Sequence, residues 1–420
     1  MGAAAACVLP SFPGAAPPDW IRRFLACGGL GVMLFADSVG AAAALRAERG
    51  DVLLALDEEG GDVTRLHVRD GSPHPSAAAL GAIDDLELTE DVAASIAAEL
   101  GAAGINWNLA PVADVNVAAN PVIGTRAFGS DPALVARHVA ATVRGLQRSG
   151  VAACAKHFPG HGSTTQDSHL ELPELTGPLE AGLDPFRAAV AAGVAAVMTA
   201  HVKVHDDAAT LDPEVIGLLR RDLGFDGVIV TDALEMRGIT AHHDVAEAAV
   251  LAVEAGADAV IVGHDLGEEE TTRIVAALER VDRVDEAAAR VAQLADRARP
   301  AANGAVDVSA AARRALLVEG DVSGGARVVE LRPAANIAAG DAEHSLADTI
   351  VREGEPVPDA DVYVVRDAHR HAWMQHADRD GAVIVEIGLP VWRPSRARGY
   401  VATYGGGRAS LDAAAEVLRR

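Results

Sequence analysis

Aromatic side chains are scarce in this chain of 420 residues, Phe, Tyr and Trp together making up 3%, so any core must be built from aliphatic and alanine side chains. Cysteine is scarcer still. Cys7, Cys27 and Cys154 are odd in number, widely spaced and set among apolar neighbours, a pattern that argues against a disulfide framework or a zinc ligand set and reads as small core residues in a reducing compartment. No run approaches the roughly 20 apolar residues that span a bilayer, because charges interrupt the alanine-rich stretches every few positions. The opening MGAAAACVLPSFPG lacks the basic start of a secretory signal and is broken by Pro10 and Pro13, so a mature, cytoplasmic protein is expected. Positive charge is the remaining deficit. A formal net charge of -24 repels nucleic acid and anionic membrane alike and excludes both as partners. Nothing in the chain points to a particular oligomeric state.

Lysine is almost missing: Lys156 and Lys203 are the only two among 36 basic residues. A sequence that otherwise uses Arg keeps a compact ammonium at Lys156. That residue opens KHFPGHGSTTQDSH, from Lys156 to His169, which gathers a cation, three imidazoles and a carboxylate among glycine, proline and small polar residues. Such a composition is loop-like. It follows an apolar run, Gly150 to Ala155, with strand character, so the loop is expected at a strand's C-terminal end, where α/β barrels build their active sites.

Eight short apolar runs recur between alanine-rich helical segments: Ala6 to Leu9, Gly31 to Phe35, Asp51 to Asp57, Ile105 to Leu109, Val151 to His157, Val194 to His201, Gly227 to Asp232 and Asp258 to Val262. Alternation of strand and helix predicts a parallel sheet, and eight units over about 300 residues predict a (β/α)8 barrel. A doubly wound dinucleotide-binding sheet is disfavoured, since no G-x-G-x-x-G follows the first run. Ionisable residues fall at the ends of these runs: Asp57, Asp114, Lys156, His157, His201 and Asp232. A barrel turns such dispersed positions into one ring.

A barrel over residues 1–300 is thus expected, ending after a helical stretch from Glu268 to Arg299, with a linker at 301–308. A small α/β domain over 309–420 follows. It is read as a helix from Ser309 to Glu319, strands at Arg327 to Leu331, Asp361 to Val365, Ala382 to Leu389 and Gly399 to Tyr404, the stretch GGGRAS, and a closing helix from Leu411 to Leu418. His369, His371 and His376 lie close in sequence but form no catalytic pattern, so a structural role is expected for this half.

Asp232 closes the run GVIVT and is delivered to the barrel mouth, where it can be a nucleophile or the N-cap of the next helix. Asp167 and His169 can meet if the loop folds back, the carboxylate orienting an imidazole that serves as acid and base near neutral pH. With LDEEGGDVTRL (Leu56 to Leu66), NLAPVADV (Asn108 to Val115), NPVIGTRAFGSDP (Asn120 to Pro132), KHFPGHGSTTQDSH and VIVTDALEM (Val228 to Met236), the chain resembles glycoside hydrolase family 3, in its β-N-acetylglucosaminidase branch. The resemblance implies that Asp232 is the nucleophile of a retaining mechanism, His169 the acid/base and Asp167 its partner. It places Asp57, Arg65, Arg126, Lys156 and His157 on the sugar, and implies a small carbohydrate substrate, no cofactor and no metal. Exo-acting hydrolysis of terminal N-acetylglucosamine, in recycling of cell-wall fragments, is the implied activity.

Three alternatives stay open. Phosphate could replace water as acceptor, because an imidazole acid/base does not repel a dianion as a carboxylate would. A metal-dependent barrel hydrolase would draw on His157, His161, His169, His201 and His205, although Pro159 and Gly160 keep His157 and His161 off one helix face. A non-catalytic sugar-binding protein would have no need of Asp232 and His169.

Overall fold

The computed structural model describes every residue except 1, 118, 169, 265, 301–307, 309 and 335–343. Eight strands carry its first half: β1 (Val8–Leu9), β2 (Gly31–Met33), β3 (Leu53–Leu56), β4 (Trp107–Asn108), β5 (Ala152–Phe158), β6 (Ala196–Thr199), β7 (Val228–Ala233) and β8 (Ala259–Ile261). They hydrogen-bond in the order β1-β8-β7-β6-β5-β4-β3-β2, every pair parallel. A backbone bond of 2.9 Å from Met33 to Pro10 joins the two ends of this sheet. The expected (β/α)8 barrel is therefore present, with each of the eight apolar runs supplying one strand.

Alternation along the strands sorts the core into two layers. Leu53 and Ala55 of β3 pack inward with Trp107, Cys154, Met198 and Val230, whereas Leu54 and Leu56 pack outward against the helices. Trp107, fully buried inside the barrel, has Ala55 and Ala152 as its strand neighbours and shares the inner layer with larger side chains such as Leu53, Leu109 and Met198. One large ring, set where its strand neighbours are small, joins aliphatic side chains in filling the interior of a chain short of aromatics.

The second half holds β9 (Leu317–Gly320), β10 (Val328–Leu331), β11 (Thr349–Val351), β12 (Val362–Val365), β13 (Val383–Glu386) and β14 (Gly399–Ala402) in the order β11-β10-β12-β13-β14-β9. All pairs are parallel except β14 with β9. The four strands read from the sequence are there, and two more were not foreseen. The expected helix from Ser309 to Glu319 shortens to Ala311–Ala315, because Leu317 and Val318 pair with Ala402 and Val401 and tertiary pairing overrides helix propensity. β11 is a three-residue edge strand, too short to carry a period. The closing helix begins earlier than expected, spanning Arg408–Leu418.

Two further corrections concern single residues. Cys7 and Cys154 are buried but Cys27 is exposed, since it caps the short helix Asp19–Ala26 rather than facing the core. Lys156 and His157 lie within β5 and not in the loop after it. Most of the linker assigned to 301–308 falls outside the described residues, while Val308 and Ala311 are buried with the barrel's outer core.

Candidate active site

The loops after β3, β4, β5 and β7 converge on one cavity of about 220 Å³. Asp57, Arg65, Arg126, Lys156, His157 and Asp232, six of the eight residues expected at the site, line it. Asp167 does not. It lines a neighbouring cavity that shares Val122 and Arg126 with the first, while Ser168 beside it faces the first. His169 lies outside the described residues.

Two strands change register where they deliver these groups. The β5–β6 ladder shifts between Ala155 and Phe158, and β7–β8 between Val230 and Ala233. Such irregularities re-aim side chains at barrel rims. Here they bracket Lys156 and His157 in one strand and Asp232 in the other. The Asp232 carboxylate accepts the Ala233 N–H at 2.8 Å.

Lys156 Nζ lies 2.5 Å from Asp57 Oδ1 and 2.6 Å from Glu59 Oε1. Arg126 donates to both Glu59 oxygens at 2.9 Å. Glu59 thus joins two cations, and its side chain is only 6% exposed. Burial by itself would raise the Glu59 carboxyl; Arg126 and Lys156 outweigh it and hold the group well below the usual carboxylate range. Burial likewise opposes the charge on Lys156, yet Asp57 and Glu59 keep the ammonium above its ordinary value. Sequence reasoning missed Glu59. The available signal was a third acidic residue in the run that follows a buried strand, in DEEGG, together with a lysine that cannot be left unpaired.

The adjacent loops are held by polar clips. Asp114, fully buried, accepts His157 Nδ1 at 2.7 Å and the His161 backbone N–H at 2.6 Å, which leaves Nε2 as the other nitrogen of His157 to act. Asn120 donates to the carbonyls of His161 and Thr164 and accepts the N–H groups of Val122 and Ile123. His161 bonds Thr164 Oγ1 and Ser168 Oγ, each at 2.9 Å, and burial pushes its pKa down to about 4. It is a neutral brace. Gly162 permits the approach, since a Cβ there would come within 2.1 Å of the Val115 carbonyl oxygen. Buried Glu58 accepts the N–H groups of Arg65 and Leu66 and shapes that loop.

Of the histidines considered as metal ligands, His201 and His205 are each engaged away from His157 and His161. His201 bonds Thr210 and the Ala233 carbonyl, bracing the end of β7, and exposed His205 pairs with Asp212 at 2.5 Å. Among the described residues no three His, Cys, Asp or Glu side chains gather as a metal site, and no helix is long and apolar enough to cross a membrane.

The second half of the chain reaches this region. Arg366, after β12, donates to Asp62 Oδ1 at 2.8 Å, Gly406 N–H donates to the same oxygen at 2.9 Å, and Thr125 donates to Oδ2 at 2.7 Å. Asp62 therefore joins the second sheet to the residue preceding Arg126. Consecutive glycines make this contact possible, because a Cβ on Gly406 would lie 2.2 Å from Arg366 and one on Gly407 2.8 Å from the Gly61 carbonyl. The second half of the chain thus contributes contacts at the edge of the cavity.

Comparison with known proteins agrees with the barrel fold. Residues 37–297 match the model of the glycosyl hydrolase family 3 N terminal domain. A β-hexosaminidase of Neisseria meningitidis serogroup C is 38% identical over 231 residues, 50% of this chain and 63% of that protein. The match thus spans less than two thirds of that relative. Among solved structures, a glycoside hydrolase family 3 β-N-acetylglucosaminidase from Paenibacillus sp. str. FPU-7 superposes with a TM-score of 0.84 at 29% identity, covering 99% of this chain and 96% of that one. A β-N-acetylhexosaminidase from Beutenbergia cavernae gives 0.63 at 32% identity, covering 70% of this chain and 98% of the other.

Proposed function

Because the chain belongs to glycosyl hydrolase family 3, we propose that it is a retaining, exo-acting β-N-acetylglucosaminidase that removes terminal N-acetylglucosamine from small glycosides. The observation that carries this reading is the convergence of Asp232, Lys156, Asp57, Arg126 and His157 on one small cavity at the C-terminal mouth of the barrel. Asp57, Lys156 and the Arg126–Glu59 pair offer acceptors and donors for sugar hydroxyls from several loops, and Met33, Met198 and Ile261 offer an apolar floor for the ring's C–H face.

In the first step Asp232 attacks the anomeric carbon and His169 gives its proton to the departing oxygen, leaving a glycosyl ester on Asp232. In the second, neutral His169 takes a proton from water, which attacks the same carbon from the opposite face and frees Asp232. Two inversions give net retention. Asp167 serves as the partner that orients His169 and raises its basicity. Cell-wall fragments, handled in the cytoplasm, are the proposed source of the substrate.

The experiment is covalent trapping with a slow 5-fluoro N-acetyl-β-glucosaminyl fluoride followed by peptide mass mapping. The label is expected on Asp232. A label on any other residue, or full turnover by Asp232→Ala, would overturn the assignment.

A further inference from the structure

A cavity of about 430 Å³, against 220 Å³ at the mouth, lies on the opposite face of the barrel. Its walls are the residues that lead into β5, β6 and β7 and one side of the helix Val284–Arg297. Barrel enzymes carry out their chemistry at the other end, so nothing in the proposed reaction uses this space. Its size is that of a small-molecule site, and Val190, Val194, Phe225 and Leu294 give it an apolar lining.

The helical wall follows from spacing. Arg290, Gln293, Leu294 and Arg297 stand at i, i+3, i+4 and i+7 and so share one face. Arg290 is engaged by Glu286 at 2.6 Å and by Asp258 at 3.4 Å. Asp258, fully buried, also binds Arg283 at 2.9 Å and Arg220. Arg220 in turn donates to the carbonyls of Phe225 and Gly227 at 2.8 and 2.7 Å. One carboxylate thus ties the helix to the loop that carries Asp226. Beside β6, Gln147 donates to the Gly193 carbonyl at 2.9 Å and accepts the Ala195 N–H at 2.8 Å. The walls are therefore fixed by bonds of their own.

The groups these bonds leave over are of both signs. Arg297, Gln293 and Asp226 line the cavity, are exposed, and make no side-chain hydrogen bond or ion pair with the described residues. A last-turn arginine can complement the helix dipole, but that accounts for neither Asp226 nor Gln293. A guanidinium and an amide on one wall, a carboxylate on another and an apolar lining between them match a zwitterion. Arg297 and Gln293 can donate to its carboxylate, and Asp226 can accept from its ammonium.

We propose that this cavity binds a zwitterion with an apolar body, an apolar α-amino acid or a short peptide of such residues, through Arg297 and Gln293 at the carboxylate and Asp226 at the ammonium. The site is separate from the sugar cavity and does not depend on the hydrolase reading.

The test is calorimetric titration of the full chain with leucine, phenylalanine and the dipeptide dileucine, each up to about 10 mM. At least one is expected to bind, and the tighter of free amino acid and dipeptide identifies the source. Blocking the ammonium of that ligand by N-acetylation, or its carboxylate as the amide, should weaken binding about tenfold in each case, as the loss of a charge-assisted contact does. Asp226→Asn should weaken the zwitterion about tenfold and leave the N-acetylated form unchanged. Arg297→Gln should weaken it to a similar extent and leave the amide unchanged. Both residues are exposed, so Tm should stay at the wild-type value and report a folded protein. Absence of binding by all three ligands, equal affinity for blocked and free forms, or affinities untouched by both substitutions would overturn the proposal. Tighter binding of the N-acetylated form than of the zwitterion would do so as well, since the cavity would then take a simple anion.

Discussion

Glu59 shows how one residue governs the electrostatics of a site it need not touch chemically. It lies between Lys156 and Arg126 with little access to water, where removing one member of a buried cluster leaves charge uncompensated. Glu59→Gln should lower the unfolding free energy by about 3–5 kcal/mol and reduce kcat/KM, as measured by urea denaturation and aryl-glycoside kinetics; unchanged values in both would show that Asp57 suffices for the two cations. His161 makes a prediction of opposite character. Burial sets its native pKa near 4, whereas an unfolded histidine titrates near 6.5. Between those values the unfolded chain binds more protons, so stability falls as pH is lowered through that window. The fall in urea midpoint from pH 7 to pH 5 should be shallower in His161→Asn than in the wild type, and identical slopes would contradict a neutral buried ring.

At the level of elements, the site depends on where strands stop being regular. β5 and β7 lose register at Lys156–His157 and Asp232, and the loop after β5 is tied to the loop after β4 by Asp114 and Asn120, beside a small buried cluster of Val112, Val122, Ile123 and Ala127. The same holds between the two sheets, where Arg366, Gly406 and Thr125 meet on Asp62. Arg366→Ala should raise KM for the sugar by loosening Thr125 beside Arg126, and added guanidinium should restore it. Loss of thermal stability with no change in KM and no rescue would reduce the contact to a tether.

The whole molecule carries a formal charge of -24, and such an excess opposes the compact state through self-repulsion. Screening shortens the reach of that repulsion. Tm should therefore rise when salt is increased from about 10 mM to about 150 mM, across Debye lengths of about 30 to 8 Å. A fall would mean that surface ion pairs such as Arg148 with Glu90 and Asp91 outweigh the net charge. At this scale the second sheet is part of the working unit, since Ala311 is buried in the barrel's outer core and Arg314 pairs with Asp85 at 2.8 Å.

The eight barrel strands were legible in the sequence, as was the placing of Asp57, Lys156, His157 and Asp232 at run ends, because strand period, turn chemistry and the ionisable residues at run ends are local properties; Arg65 and Arg126, which stand at no run end, entered through the family resemblance alone. Asp57, Lys156 and Asp232 each stand where an apolar run ends, so the barrel alone brings them together. Glu59 and Asp62 were not legible. Their importance comes from cations that approach from distant parts of the chain, Arg126 and Lys156 in one case and Arg366 in the other. β9 was hidden for the same reason, its conformation being settled by pairing with β14 against a locally helical composition. Sequence by itself determined which groups stand at the mouth of the barrel; tertiary structure decided which charges neutralise one another and that a second cavity adjoins the first, because these depend on contacts between residues far apart in the chain.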